Sequence, residues 1–273
     1  MRSVSSSGLR AAICIAIWLA FTTLLAPLQL AAIASGGSLA RRIPRFYHRC
    51  CARLLGARIE CVGTPSSARP TLFVANHVSW LDIMMFSAVI EVSFIAKREV
   101  ATWPLFGWLA KLQRTVFVAR DPRKVTKERD DITRRIAAGD DLMLFAEGTS
   151  SPGTGVLPFK SALFAVAHAG PETRGLTVQP VSISYVRLAG MPVGRQWRDS
   201  FAWYGDMDLL PHFWRVFGMG RFTVRLTFHP PVAADQFPTR KALAQHCESA
   251  VAAGVAAALG GTTLPATDIP RAA

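Results

Sequence analysis

From about residue 58 onward, short apolar runs of strand length alternate with longer stretches patterned like helices, and that alternation most restricts what the chain can fold into. Apolar runs at 59–62, 72–75, 92–96, 116–119, 142–146, 178–185 and 222–228 predict strands. Residues 79–89, 100–112, 122–138, 159–169 and 240–259 predict helices. Strands joined by helices of this length predict an α/β domain whose mostly parallel sheet is flanked by helices, with functional groups gathered at the C-terminal strand ends. The 51% apolar content is enough for a full core in a chain of 273 residues. Residues 190–220, rich in tryptophan, read as an irregular loop or cap, and the tail from 261 to 273 as disordered. The expected division is therefore 1–56, a membrane-anchoring pair of helices; 57–260, a catalytic domain; and 261–273, the tail.

The first part of the chain is of a different kind. Residues 11–34 carry no charged side chain, with Arg2 and Arg10 before them and Arg41 and Arg42 after. A secretory signal would end in a small-residue cleavage site followed by polar sequence, whereas a basic amphipathic stretch follows here. The run is long enough for a span of about 20 residues, but Pro27 divides it. It is expected to enter a bilayer and either cross it or turn back within one leaflet. Next, Ile43, Phe46, Tyr47, Cys50, Leu54 and Leu55 recur at helical spacing, with Arg41, Arg42, Arg45, Arg49 and Arg53 on other faces. That pattern suits a helix lying on an anionic surface, where each arginine contributes roughly 1 kcal/mol.

The net charge of +13 implies an anionic partner: membrane headgroups, an acidic carrier protein or a phosphorylated substrate. Nucleic acid is disfavoured, because no helix-turn-helix, zinc-finger or aromatic RNA-binding signature accompanies the charge. The five cysteines have neither metal-ligand nor C-x-x-C spacing and read as free thiols, so no metal and no cofactor is expected.

Chemistry-bearing residues stand where strands are expected to end. Asn76-His77-Val78-Ser79-Trp80-Leu81-Asp82 follows the run 71–75 and places an imidazole five residues before a carboxylate. Such a pair is the minimum equipment of a general base: the carboxylate fixes the tautomer and stabilises the imidazolium. Arg120 follows 116–119 and offers a fixed charge for a phosphate or carboxylate. Glu147-Gly148-Thr149-Ser150-Ser151 follows 142–146, bringing a carboxylate, hydroxyls and accessible amides. Gln179-Pro180-Val181 interrupts a fourth run with a proline that marks either a strand edge or the floor of a site. Lys160 is a candidate for site charge or, equally, a surface lysine at a helix start. His48, His168, His212, His229 and His246 read as structural or exposed.

The four blocks taken in order, Asn76-His77 to Asp82, Val116 to Arg120, Phe145-Ala146-Glu147-Gly148-Thr149 and Gln179-Pro180-Val181, resemble those of the glycerolipid acyltransferase family. That family includes bacterial 1-acylglycerol-3-phosphate O-acyltransferases. Val156-Leu157-Pro158-Phe159-Lys160-Ser161 and Trp203-Tyr204-Gly205-Asp206-Met207 are further similar to its lyso-ornithine lipid O-acyltransferase branch. The resemblance implies a glycerol-3-phosphate acyltransferase-like fold and a membrane O-acyltransferase, with the catalytic domain on the cytoplasmic face of a bacterial inner membrane. In it His77, oriented by Asp82, would deprotonate the free hydroxyl of a lyso-lipid. The hydroxyl would then attack the thioester of acyl carrier protein or acyl-CoA. Arg120, Glu147, Gly148, Thr149 and Lys160 would hold the acceptor's head.

Two departures matter. The family's third block usually reads F-P-E-G-T-R, and this chain has Ala146 for the proline and Ser150 for the arginine, which is thought to help clamp the acceptor phosphate. Loss of a guanidinium from a dianion site favours an acceptor with an amino-acid head, lyso-ornithine lipid, with lysophosphatidate a close second. The competing readings are a membrane-associated hydrolase, for which no G-x-S-x-G is present; a metal phosphoesterase, which would need more clustered ligands; and a non-catalytic lipid-binding scaffold.

Overall fold

The computed structural model describes residues 6–118, 125–168, 173–261 and 267–268. Two helices come first, α1 (Gly8–Ser35) and α2 (Leu39–Leu55). The body follows as β1 (Ala57–Val62), β2 (Thr71–Ala75), α3 (Leu81–Val89), β3 (Ser93–Lys97), α4 (Phe106–Leu112), β4 (Val116–Val118), α5 (Val125–Ala137) and β5 (Leu142–Phe145). It continues with β6 (Thr177–Leu188), β7 (Met191–Pro192), α6 (Leu209–Met219), β8 (Phe222–Phe228), β9 (Val232–Ala233), α7 (Arg240–Leu259) and β10 (Thr267–Asp268).

One sheet runs β10-β1-β8-β6-β2-β5-β3-β4, with β7 and β9 added to β6. The pairs β1–β8, β6–β2, β2–β5, β5–β3 and β3–β4 are parallel, while β6–β8 is antiparallel. Every side chain of β2 is buried, as a strand covered on both faces requires. Because successive side chains point to opposite faces, Phe73 and Ala75 join one core with α1, α2, α3 and α6. Leu72 and Val74 join the other with α5, α7 and the 3₁₀ segment Ser161–His168. The chain is thus the expected α/β fold with a mostly parallel sheet.

Four local expectations are corrected. The helix expected over 100–112 is two pieces, a 3₁₀ turn Arg98–Thr102 and α4, because Pro104 disfavours helical geometry at the residue before it and Leu105 takes a φ of 59°. The stretch expected as a helix over 159–169 winds as 3₁₀. Residues 190–220 are not all irregular: Phe213, Val216 and Phe217 recur at helical spacing and are buried in α6, which packs along α1. Within the tail expected to be disordered, Thr267 and Asp268 pair antiparallel with β1.

Pro27 does not end α1, which runs unbroken for 28 residues, about 42 Å at 1.5 Å per residue. The stripe Ala11, Cys14, Trp18, Thr22, Ala26, Gln29 and Ala32 is buried on both sides of the proline, so tertiary packing holds the helix through the lost backbone bond. Trp18 meets Phe213 and Phe217 edge-on at 5.3 and 5.9 Å. Thr22 Oγ1 and Tyr47 Oη share a hydrogen bond of 2.7 Å. Arg10 donates to the Phe217, Leu54 and Leu55 carbonyls, tying α1 to the C-terminal ends of α2 and α6. The opposite face of α1, with Leu9, Ile13, Ile17, Leu24 and Leu28, is exposed.

Candidate active site

Register brings the first and third sequence blocks together. Ala75 at the end of β2 pairs with Phe145 at the end of β5, so His77 and Glu147 occupy equivalent positions just beyond two adjacent parallel strands. Asn76 clips this end of the sheet: its amide donates to the Ile183 carbonyl at 3.1 Å and accepts from the Ile183 amide at 2.9 Å, bridging to β6.

His77 and Asp82 meet. His77 Nδ1 lies 2.8 Å from Asp82 Oδ2, and the ring lies flat on Phe145 with centroids 4.0 Å apart. Asp82 stands in the first turn of α3 and is fully buried. Its Oδ2 also accepts from the Val78 and Ser79 amides at 2.6 and 2.9 Å, and its Oδ1 accepts from the Tyr185 hydroxyl at 2.8 Å. A buried carboxylate with this many donors is fully hydrogen-bonded and fixed in place. Burial, reinforced by the charge of Asp82, pushes the Tyr185 phenol well above its usual range, so it remains a donor. With Nδ1 committed to the carboxylate, Nε2 is the nitrogen left to exchange a proton.

The loop after β5 packs against this pair. The Ser151 amide and hydroxyl both donate to the His77 carbonyl, at 2.9 and 3.1 Å. Glu147 is buried, and Oε1 accepts from the Leu157 amide at 3.2 Å. Burial raises the Glu147 pKa to about 8, against the lowering effects of the Leu157 and His77 amides and the Ser151 hydroxyl. At neutral pH its carboxyl is therefore mostly protonated and able to donate. Gly148 has a φ of 67°, and a Cβ there would come within 3.0 Å of the Lys160 side chain, which lies across it. Lys160 and Thr149 are exposed at the rim. Arg120 lies outside the described residues.

Two contributors escape the sequence blocks. Tyr185 stands two and four residues beyond Ile183 and Val181 on one face of β6, so period-two reading from Gln179-Pro180-Val181 would have found it. Phe145, which opens the third block, lies under the imidazole, a role its sequence position did not reveal. Arg198, whose Nη1 donates to the Gly153 carbonyl at 3.3 Å, belongs to a segment without a readable pattern. Of the remaining histidines, His212 accepts from Trp80 Nε1 at 3.0 Å, His48 bonds Gln113, His229 bonds Ser182, and His246 packs on Phe237.

Beside the pair, between α1, α2, α3, α4 and α6, an apolar cavity of about 190 Å³ opens. Trp80 of the His77–Asp82 segment, with Ile83 and Met84 that follow it in α3, lines one wall and Trp18, Tyr47 and Phe213 others. The fold and this site together define a protein in which an oriented imidazole stands beyond the end of a central strand and the tryptophan three residues further on lines an apolar cavity.

The family profile described as acyltransferase matches residues 58–184. The chain is 45% identical over 255 residues to a lyso-ornithine lipid O-acyltransferase of Brucella abortus, covering 92% of this chain and 96% of the relative. It is 34% identical to a 1-acyl-sn-glycerol-3-phosphate acyltransferase of Neisseria meningitidis, covering 71% and 74%. The solved structure of the 1-acyl-sn-glycerophosphate acyltransferase from Thermotoga maritima shares the fold, with a TM-score of 0.59 at 21% identity over 93% and 99% of the two chains. The chain belongs to the acyltransferase family.

Proposed function

We propose that this acyltransferase moves a fatty acyl group from a thioester donor to the free hydroxyl of a lyso-lipid, with lyso-ornithine lipid as its acceptor. The observation that carries the reading is the His77–Asp82 pair, with Trp80 between the two in sequence lining the apolar cavity. His77 Nε2 takes the proton of the acceptor hydroxyl as the oxygen attacks the thioester carbonyl. The tetrahedral adduct then collapses, the carbon–sulfur bond breaks, and the thiolate takes the proton back from the imidazolium. Asp82 holds the ring's tautomer and stabilises its charged form. Glu147, Gly148 and Thr149, with Lys160 over Gly148 and Arg120 from the stretch that follows β4, bind the acceptor head, and the protonated Glu147 contributes a donor.

The substrate assignment is supported by the Brucella abortus relative, and by those of Rhizobium meliloti and Rhodobacter capsulatus at 41% and 38% identity, all named for lyso-ornithine lipid. Ser150, where the family usually has arginine, weighs the same way. Lysophosphatidate is a second acceptor, favoured by the Neisseria relative.

The enzyme sits on the membrane without crossing it. Helix α1 packs one stripe of its surface on the body, which favours a helix held in one leaflet over one crossing alone, and its outer apolar face with the exposed Trp103, Trp108, Leu210 and Trp214 suits immersion there. In a bacterial cell this is the cytoplasmic face of the inner membrane, where acyl carrier protein and acyl-CoA are at hand. Extracting a 16-carbon lyso-lipid into water would cost on the order of 13 kcal/mol, and an immersed site avoids most of it.

The deciding experiment offers purified protein in lipid vesicles both acceptors and both radiolabelled donors. Transfer to lyso-ornithine lipid is expected. Transfer to lysophosphatidate alone overturns the acceptor, and release of free fatty acid without transfer overturns the reaction.

A further inference from the structure

We infer that Arg198 is a specificity-determining residue that binds a carboxylate on the polar head of the acceptor, an inference that rests on the proposed acceptor class. The 3₁₀ segment Arg195–Ser200 is tied to the loop after β5, which in turn bonds the His77 backbone through Ser151. Arg198 Nη1 donates to the carbonyl of Gly153, in the loop that begins with Glu147. Gly153 has a φ of 68°, and a Cβ there would come within 3.0 Å of Val78 Cγ1. Val78 directly follows His77. The downstream end of the segment is pinned to the same residue, because the Trp203 amide donates to the Val78 carbonyl at 3.0 Å. The guanidinium is thus fixed relative to the imidazole through a short series of packed backbone contacts.

Its bonding capacity is largely unspent. A guanidinium has five N–H donors, and Arg198 uses one of them on a backbone carbonyl. Its Nε is buried without a hydrogen-bond partner, and among the described residues it forms no ion pair with a carboxylate. Asp199, next in sequence, is engaged by the Tyr204 hydroxyl. Arg198 is half-buried, and burial together with the neighbouring Arg195 lowers its pKa, so an anion placed at its fork would be favoured electrostatically. A planar fork held at the loop that packs on His77 matches a carboxylate, a monoanion with two oxygens at the fork's spacing. Arg198 so placed discriminates by the acceptor's head and leaves the proton transfer at His77 untouched.

The test compares lyso-ornithine lipid with its carboxyl methyl ester, in mixed vesicles, using wild type, Arg198→Gln and Arg198→Lys, with kcat and KM measured separately and thermal unfolding as a control. Arg198→Gln is expected to raise KM for the carboxylate acceptor about tenfold or more, leave kcat near wild type and leave the ester nearly unchanged. Arg198→Lys should recover part of the affinity. If Arg198→Gln raises KM for both acceptors equally, or keeps the wild-type preference for the carboxylate, the assignment is overturned and Arg198 only braces the loop at Gly153. A wild-type enzyme that ignores lyso-ornithine lipid altogether instead overturns the acceptor reading, and the assignment with it.

Discussion

Asp82 accepts four hydrogen bonds, from His77, the Val78 and Ser79 amides and Tyr185, and three of them come from its own turn. The fourth comes from β6, 103 residues further along the chain. Removing it with Tyr185→Phe leaves the ring that stacks on Phe201 at 4.8 Å intact and deprives a buried carboxylate of one donor. This should cost about 2 kcal/mol of stability in denaturant unfolding, and an unchanged midpoint would contradict it. Glu147 makes a pH-dependent prediction. Its folded pKa of about 8 lies above that of an exposed glutamate, so the folded state holds the proton more tightly. The associated stability is complete below about pH 4 and is lost as pH rises through about 8. Glu147→Gln, which stays neutral, should therefore gain melting temperature relative to wild type as pH rises through that window. A difference constant with pH would sink the account of Glu147 as a protonated donor.

Elements are held in place by a few charged residues whose partners are distant in sequence. Asp140 is 3% exposed and bonds Arg41 of α2, Arg114 after α4 and Arg135 of α5. Burial alone would raise its pKa, but the Arg135 and Arg114 guanidiniums hold it below the usual carboxylate range. Asp140→Asn leaves three arginines facing one another and should destabilise by about 3 kcal/mol or more, measured by chemical denaturation; a change under about 1 kcal/mol would show that the cluster is screened as an exposed one would be. At this scale the sequence was legible where periodicity is local. Strands β2, β5 and β8 and helix α7 follow from apolar runs and spacing, and the His77–Asp82 pair follows from a single helical turn. What was not legible depends on contacts between segments distant in sequence or on chain breaks. Tyr185 reaches Asp82 across 103 residues, Pro104 splits a helix whose apolar pattern continues through it, and α6 hides among tryptophans because its buried stripe faces α1.

The whole molecule is a two-sided object: a basic α/β body and an apolar helical face. The exposed row on α1 should control membrane attachment without supporting the fold. Ile17→Glu with Leu24→Glu is expected to abolish sedimentation with vesicles while the melting temperature stays within a few degrees of wild type. Retained sedimentation would place the membrane contact elsewhere. The charge of +13 predicts steering of an acidic acyl carrier protein. Raising salt should then slow transfer from the carrier protein more than transfer from acyl-CoA, since screening acts on the long-range field. Equal sensitivity would mean that both donors dock through local contacts.

Proton abstraction by His77 is the claim on which the mechanism stands, and its most direct measurement is single-turnover acyl transfer from radiolabelled acyl carrier protein to lyso-ornithine lipid by wild type and His77→Ala in the same vesicles. The rate should fall by roughly a hundredfold or more with the protein still folded and vesicle-bound. A folded His77→Ala protein that transfers at close to the wild-type rate would contradict it.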